Sequence, residues 1–215
     1  MSETKKIPTA VYAEMTPNPS TMKFAADRLL ITGGHQVEFT SAEQTKGFSP
    51  LAEELFHFPF VKSVFISGNF VTVTKDDSLG WEMIVQQLRE YVRDWLMENQ
   101  DAVTAIPENL TGASDPGEVE EAPFAQKASA IDYSQFSPTE HDEQIKFLLD
   151  EFVRPAVEQD GGAIDFKAFH EGKVYVQMRG ACSGCPSSAQ TLKGGIETLL
   201  KANLDVVEEV VAEDA

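Results

Sequence analysis

The chain reads as α+β, built as two small α/β-sandwich-like domains joined by an acidic flexible linker. Three observations predict this. Strand-like and helical patterns alternate in two separate stretches, a Pro/Gly-rich acidic segment interrupts them, and 215 residues suit two small cores better than one. The interruption runs from Asn99 to about Ile131, with Pro107, Gly112, Pro116, Gly117, Pro123 and the cluster Glu118, Glu120, Glu121. So few large apolar groups cannot offset the entropy of ordering. The expected division is residues 8–98, a linker over 99–131, and residues 132–215.

In the first unit, Val11 to Met15, Val37 to Phe39, Val61 to Ile66 and Phe70 to Thr74 have strand composition, with Ser67-Gly68-Asn69 as a hairpin turn between the last two. Trp81, Ile84, Val85, Leu88, Val92, Trp95 and Leu96 recur at helical spacing and predict one amphipathic helix from about Gly80 to Glu98. A shorter helix begins after Ser49-Pro50 and ends near His57-Phe58-Pro59.

The second unit has the order α-β-β-α-β. Ile145, Leu148, Leu149, Phe152, Ala156 and Val157 form a helical stripe after Ser137-Pro138, and Asp160-Gly161-Gly162 stops it. Ile164, Phe166 and Ala168 alternate with polar neighbours, as do Val174, Val176 and Met178, so two half-buried strands meet at Glu171-Gly172. Ala189, Leu192, Ile196, Leu199 and Leu200 make a second helix, and Val206 to Val211 a last strand.

A formal net charge of −18 disfavours nucleic acid and anionic membrane as partners, since both are polyanions. No stretch reaches the roughly 18 apolar residues of a membrane span, and Met1 to Lys6 is polar with no apolar core behind it. The expected compartment is intracellular and reducing. The histidines, His35, His57, His141 and His170, are scattered with no ligand spacing and are expected to be structural or surface residues. No Ser/His/Asp set, phosphate-binding glycine loop or paired carboxylate supports hydrolase or nucleotide chemistry. Lys193-Gly194-Gly195 puts paired glycines inside a helix, where the expectation is close packing of helix on sheet.

Cys182 and Cys185 are the only cysteines. They stand two residues apart between a strand and a helix, with Pro186 as first helical residue. Unpaired N–H groups and the helix dipole there are expected to favour thiolate, Gly180 and Gly184 let amides approach sulfur, and Arg179 either adds positive charge or is a solvated strand end. Iron–sulfur ligation, zinc ligation, thiol–disulfide chemistry and no chemistry all fit the spacing. Tetrahedral zinc and iron–sulfur clusters want four such ligands, so one chain supplies half a site and a second copy is the simplest source of the rest.

The surrounding residues are more specific than the pair. Arg154-Pro155, Asp160-Gly161-Gly162, Cys182-Ser183-Gly184-Cys185-Pro186-Ser187-Ser188, Thr191-Leu192-Lys193 and Gly195-Ile196-Glu197 resemble, from about Phe136 to Val211, the C-terminal domain of NifU and the Nfu iron–sulfur cluster carriers. One departure is Ala163, where that family commonly has a polar residue. Thr16-Pro17-Asn18-Pro19-Ser20-Thr21-Met22-Lys23-Phe24 is similar to the opening of the Nfu N-terminal domain. The resemblance implies a homodimer holding a [4Fe–4S] cluster between two CxxC pairs, with Cys182 and Cys185 as its ligands, and passing it to apo-proteins. It implies a carrier rather than an enzyme, an upstream assembly scaffold as donor, and an N-terminal domain without ligands that modulates docking or cluster stability. The implied location is the cytoplasm for a bacterial-type chain and the mitochondrial matrix for a mature eukaryotic one. Four thiolates satisfy a [2Fe–2S] cluster equally, and a thiol–disulfide oxidoreductase is the runner-up.

Overall fold

The computed structural model describes residues 6–107, 136–183 and 186–214. The first unit has strands β1 (Val11–Met15), β2 (Thr21–Ala26) and β3 (Gln36–Phe39) and short helices α1 (Ala42–Thr45) and α2 (Pro50–Leu55). Strands β4 (Val61–Ser67) and β5 (Phe70–Lys75) and the long helix α3 (Trp81–Glu98) follow. The antiparallel sheet has order β1-β2-β5-β4-β3. Ile84, Leu88, Val92 and Leu96 of α3 lie buried, with Phe24, Val37, Phe39, Leu51, Leu55 and Val64 in the same core. Gly68 takes φ +50 in the two-residue turn between β4 and β5, which that tight reversal asks of a residue without Cβ. Ser49 caps α2 by accepting a bond from the Ala52 amide at 3.1 Å, with Pro50 at the first helical position.

The sequence pattern leaves out β2, although it sits between β1 and β5. Met22, Phe24 and Ala26 enter the core, but Thr21 and Lys23 are buried as well, on the other face. A strand covered on both sides, carrying a lysine and two alanines, lacks the apolar/polar alternation by which strands are read.

Asn99 to Pro107, assigned to the linker from composition, is held against this unit. Arg28 donates to the carbonyls of Leu96 (2.8 Å), Asn99 (2.6 Å) and Gln100 (3.0 Å), closing the end of α3. Ser49 Oγ donates to the Ala102 carbonyl at 2.8 Å, and Ala102 is buried. The rest of the expected linker, from residue 108, lies outside the described residues.

The second unit runs α4 (Asp142–Leu148), a π-helical turn (Leu149–Val153), α5 (Arg154–Gln159), β6 (Gly162–His170), β7 (Lys173–Gly180), α6 (Pro186–Asn203) and β8 (Glu209–Asp214). The expected α-β-β-α-β order holds, with the first helix interrupted. Pro155 has no amide to give the carbonyl four residues back, and the wide turn stands just ahead of it. Its extra winding brings Ile145, Leu149, Val153 and Val157 onto one buried line. Phe152, assigned to the stripe at regular α spacing, is instead 59% exposed, and Ala156 is exposed too.

Strands β6 and β7 form a hairpin whose turn residues Glu171 and Gly172 have φ +46 and +76. Strand β8 pairs parallel to β7 after the α6 crossover and starts three residues later than Val206, where the pattern begins it. Gly194 and Gly195 do not serve close packing: both are exposed, and a Cβ at either would meet nothing within 4 Å.

Candidate metal-ligand loop and the surface that holds it

Strand β7 ends at Gly180 and α6 begins at Pro186, so the cysteine loop is the mouth of the β7-α6-β8 crossover. Gly180 has φ +61 and accepts at its carbonyl from both the amide (3.2 Å) and Oγ (3.0 Å) of Ser183. The Cys182 amide lies 3.4 Å from the Arg179 carbonyl. These bonds turn the Cys182 side chain inward, where it is 6% exposed in one core with Ile164, Met178 and Ile196. Cys185, the other candidate ligand, lies outside the described residues, as does Gly184.

Gly162 makes the sulfur's position possible. A Cβ there would stand 2.5 Å from Cys182 Sγ, far inside contact distance. Sequence reading finds only a turn and helix stop in Asp160-Gly161-Gly162, and Gly161 at φ +82 does serve as one. The second duty of the pair is visible only once the loop folds back over β6.

The thiolate expected at this position is not favoured. Burial pushes the Cys182 thiol up to about 12, and the Asp160 carboxylate adds to the rise. The sulfur sits in apolar surroundings on the strand side of the loop, where desolvation outweighs the pull of a helix start. Arg179 is neither a cation beside the sulfur nor a solvated strand end. It is 5% exposed, its Nη2 lies 3.1 Å from Asp165 Oδ2, and it donates to Gln177 Oε1 at 3.2 Å. The contact with Asp165 is an ion pair without hydrogen-bond alignment.

The first sheet reaches the same loop. Its cross-strand register places Glu14, Lys23, Thr72, Phe65 and Glu38 in one row over β1, β2, β5, β4 and β3, on the face opposite α3. Lys23 Nζ donates to the Glu158 and Gln159 carbonyls (3.2 and 3.0 Å), which are the open end of α5. Thr72 Oγ1 donates to the Gly161 carbonyl at 2.7 Å, and Glu38 Oε2 accepts from the Gly180 amide at 3.3 Å. Ahead of β2, Asn18 Nδ2 donates to the Ser183 carbonyl at 3.0 Å. Phe65 and Phe70 close an apolar contact with Ala163. Gly161 and Gly180 admit this approach, because a Cβ would lie 2.9 Å from Thr72 Oγ1 at the first and 2.8 Å from Phe65 at the second. In the sequence Asn18 and Lys23 stand out only as part of a family-like stretch, and Glu38 and Thr72 carry no signal at all.

The histidines stand apart from the loop, and among the described residues no three His, Cys, Asp or Glu gather as a metal-ligand set. No helix among those residues is long and apolar enough to cross a membrane.

Residues 11–99 match the family described as "Scaffold protein Nfu/NifU N terminal", and residues 145–211 match "NifU-like domain". A Homo sapiens protein named "NFU1 iron-sulfur cluster scaffold homolog, mitochondrial" is 32% identical over 201 residues, covering 93% of this chain and 70% of its own. The chain belongs to the Nfu/NifU family. "NifU-like protein 4, mitochondrial" of Arabidopsis thaliana is 33% identical over 205 residues, and the chain spans 65% of that protein's length. The solution structure of a NifU-like protein from Saccharomyces cerevisiae is 24% identical, covering 48% of this chain and 90% of its own with a TM-score of 0.41. In this Nfu chain the N-terminal match contains Asn18, Lys23, Glu38, Phe65 and Thr72, and the C-terminal match contains everything they touch on β6, β7 and the loop.

Proposed function

We propose that this Nfu chain carries a [4Fe–4S] cluster as cargo, held by Cys182 and Cys185 of one copy and the same two residues of a second, and delivers it to apo iron–sulfur proteins. The single observation behind this reading is that the NifU match holds the chain's only two thiols, at one strand-to-helix junction. A cluster completed by four thiolates takes two from each copy. Neither copy then owns the cargo, and incoming thiolates of a recipient can displace the cysteines one at a time, each displaced thiolate taking back a proton. No electron changes hands in such an exchange. The chain acts as a carrier loaded by an upstream scaffold and has no turnover on a small molecule.

The relatives' names place them in mitochondria, and a reducing compartment, the matrix or a bacterial-type cytoplasm, suits free thiols. The β7-α6-β8 crossover does not rule out thiol–disulfide exchange by its topology. What favours the carrier over it is the match of residues 145–211, which contain both thiols, to the NifU-like domain.

Anaerobic reconstitution tests the reading. The expected product is a brown dimer with about four irons, about two if the cargo is [2Fe–2S], that loses its colour to an apo-enzyme as that enzyme gains activity. Iron-loaded protein that stays monomeric with no outside thiol on the metal would overturn it. So would a Cys182→Ser or Cys185→Ser chain that still forms a loaded dimer.

A further inference from the structure

A ligand shared between two chains has to reach the surface, yet Cys182 is 6% exposed with its sulfur lodged over Gly162. The segments that must move to release it are Gly161 to Gly162 beneath the sulfur and Gly180 to Ser183 around it. Those are the segments the first sheet holds. Asn18 takes the Ser183 carbonyl, Glu38 the Gly180 amide and Thr72 the Gly161 carbonyl, which also accepts from the Ala181 amide at 3.2 Å. Lys23 fastens the end of α5 just before Gly161 and is itself held by Glu14 at 3.2 Å and by the Phe70 ring 4.7 Å away.

We propose that the helix-free face of the N-terminal sheet is a binding surface for the chain's own metal-free cysteine loop, and that it keeps Cys182 turned inward until the two units part. The surface is built for this occupant. Its row of opposed residues presents a cation to helix-end carbonyls, a hydroxyl to a carbonyl and a carboxylate to an amide, and Asn18 ahead of β2 adds a side-chain amide to a further carbonyl. Every one of these contacts goes to backbone, so it recognises the path of the loop rather than its side chains, and glycines stand where side chains would block the approach. The same face lacks cysteine and so cannot take the cargo. Its role is to hold the loop closed, which sets when a second copy or a cluster donor can reach the sulfur. That role rests on Cys182 being a cargo ligand, while the closure itself is a property of the metal-free chain.

The test uses the metal-free full chain carrying Cys185→Ser, which leaves Cys182 as its one thiol. Alkylation of Cys182 by iodoacetamide is timed in this chain and after adding Asn18→Ala with Thr72→Val, which delete two of the clasping bonds, the first also removing the bond from the Ser20 amide to Asn18 Oδ1. The expected result is alkylation faster by about tenfold or more, the response of an opening equilibrium to bonds lost from the closed form only. In parallel, amide exchange at Gly180 is followed in Glu38→Ala, where protection should fall by a similar factor while that of Val64 and Val176, in the two sheet interiors, stays. Phe65→Ala supplies a second route to the same opening should the double variant fold poorly.

Alkylation within about twofold of the parent in folded Asn18→Ala/Thr72→Val and Phe65→Ala chains, with Gly180 exchange unmoved by Glu38→Ala, overturns the proposal. The two readings separate cleanly. A chain with both cysteines that never takes iron, yet shows the expected rate changes, sinks the carrier and leaves the closure standing. A chain that loads iron while its thiol ignores the first sheet does the reverse.

Discussion

Gly162→Ala isolates the steric relation between β6 and the cysteine loop. Its φ lies outside the left-handed region, so alanine meets no backbone strain and the whole cost is contact. The new methyl would stand 2.5 Å from Cys182 Sγ, 2.8 Å from the Arg179 carbonyl oxygen and 3.0 Å from the Cys182 amide nitrogen. Relaxed carbon contacts lie near 3.5–4.0 Å, so the sulfur has to retreat by about 1 Å or more and the two backbone atoms have to shift with it. Overpacking of this kind costs about 1–3 kcal/mol, offset by about 0.5–1 kcal/mol from a stiffer unfolded chain. A net loss of about 1–2 kcal/mol in a domain of this size lowers its melting temperature by roughly 5–15 °C. Both tryptophans, Trp81 and Trp95, are in α3, so their fluorescence reports the wrong unit and calorimetry is the suitable assay. The Gly162→Ala/Cys182→Ala double variant should recover part of the loss, because the nearest clash is with the sulfur. An unchanged transition in Gly162→Ala, or a double variant with no coupling, would refute the packing argument.

Three further outcomes are expected. Between pH 9.0, the ordinary value for the thiol, and about 12 in the fold, an unfolded chain carries Cys182 as thiolate while the folded chain keeps it protonated. Unfolding then releases a proton, so stability is full below about pH 9 and falls as pH rises. Denaturation at pH 8 and pH 10 should show the parent losing about 1 kcal/mol more than Cys182→Ala, and equal losses would count against a buried neutral thiol. Gly194→Ala and Gly195→Ala, in an exposed stretch of α6 with no neighbour near the added methyl, should each raise stability by about 0.5–1 kcal/mol in urea unfolding. Asp165→Ala should cost about 3–5 kcal/mol by stranding Arg179 at 5% exposure, whereas Asp165→Leu with Arg179→Met should come within about 1–2 kcal/mol of the parent, both read from urea midpoints.

What the sequence makes legible follows its periodicities. The α3 stripe, the two hairpins and the α-β-β-α-β order each repeat at a period that one face of burial imposes, and all of them stand in the structure. What it hides is where that single-face rule fails. Strand β2 is covered on both sides, so no alternation marks it, and nothing in its pattern tells that Lys23 lies 9% exposed under the second unit. Phe152 reads as core because a regular helix is assumed, and one π turn moves Val153 into its place. The charge state of Cys182 is not legible, because spacing places the sulfur near a helix start but says nothing of its burial. Gly162 and Gly180 are conspicuous as glycines, but the atoms they make room for, Cys182 Sγ and the Phe65 ring, are distant in sequence.

The chemistry of the contact between the sheets bears on whether it can open. Its apolar part is small, Phe65 and Phe70 against Ala163, and the rest is hydrogen bonds from side chains to backbone. A bond of that sort contributes about 1 kcal/mol net, because water replaces either partner once they part. A handful of such bonds holds a population mostly closed without making closure permanent, and a shift from 1:99 to 99:1 takes about 5.5 kcal/mol of differential binding. Structural zinc binds its ligands in zinc-finger peptides with about 10–16 kcal/mol at pH 7, a scale on which ligand binding competes with a contact of this kind. Under the proposed function the energy of binding the cluster is what opens this contact, and a contact made mainly of single hydrogen bonds yields to it more readily than an interface of buried aromatic side chains across both faces would.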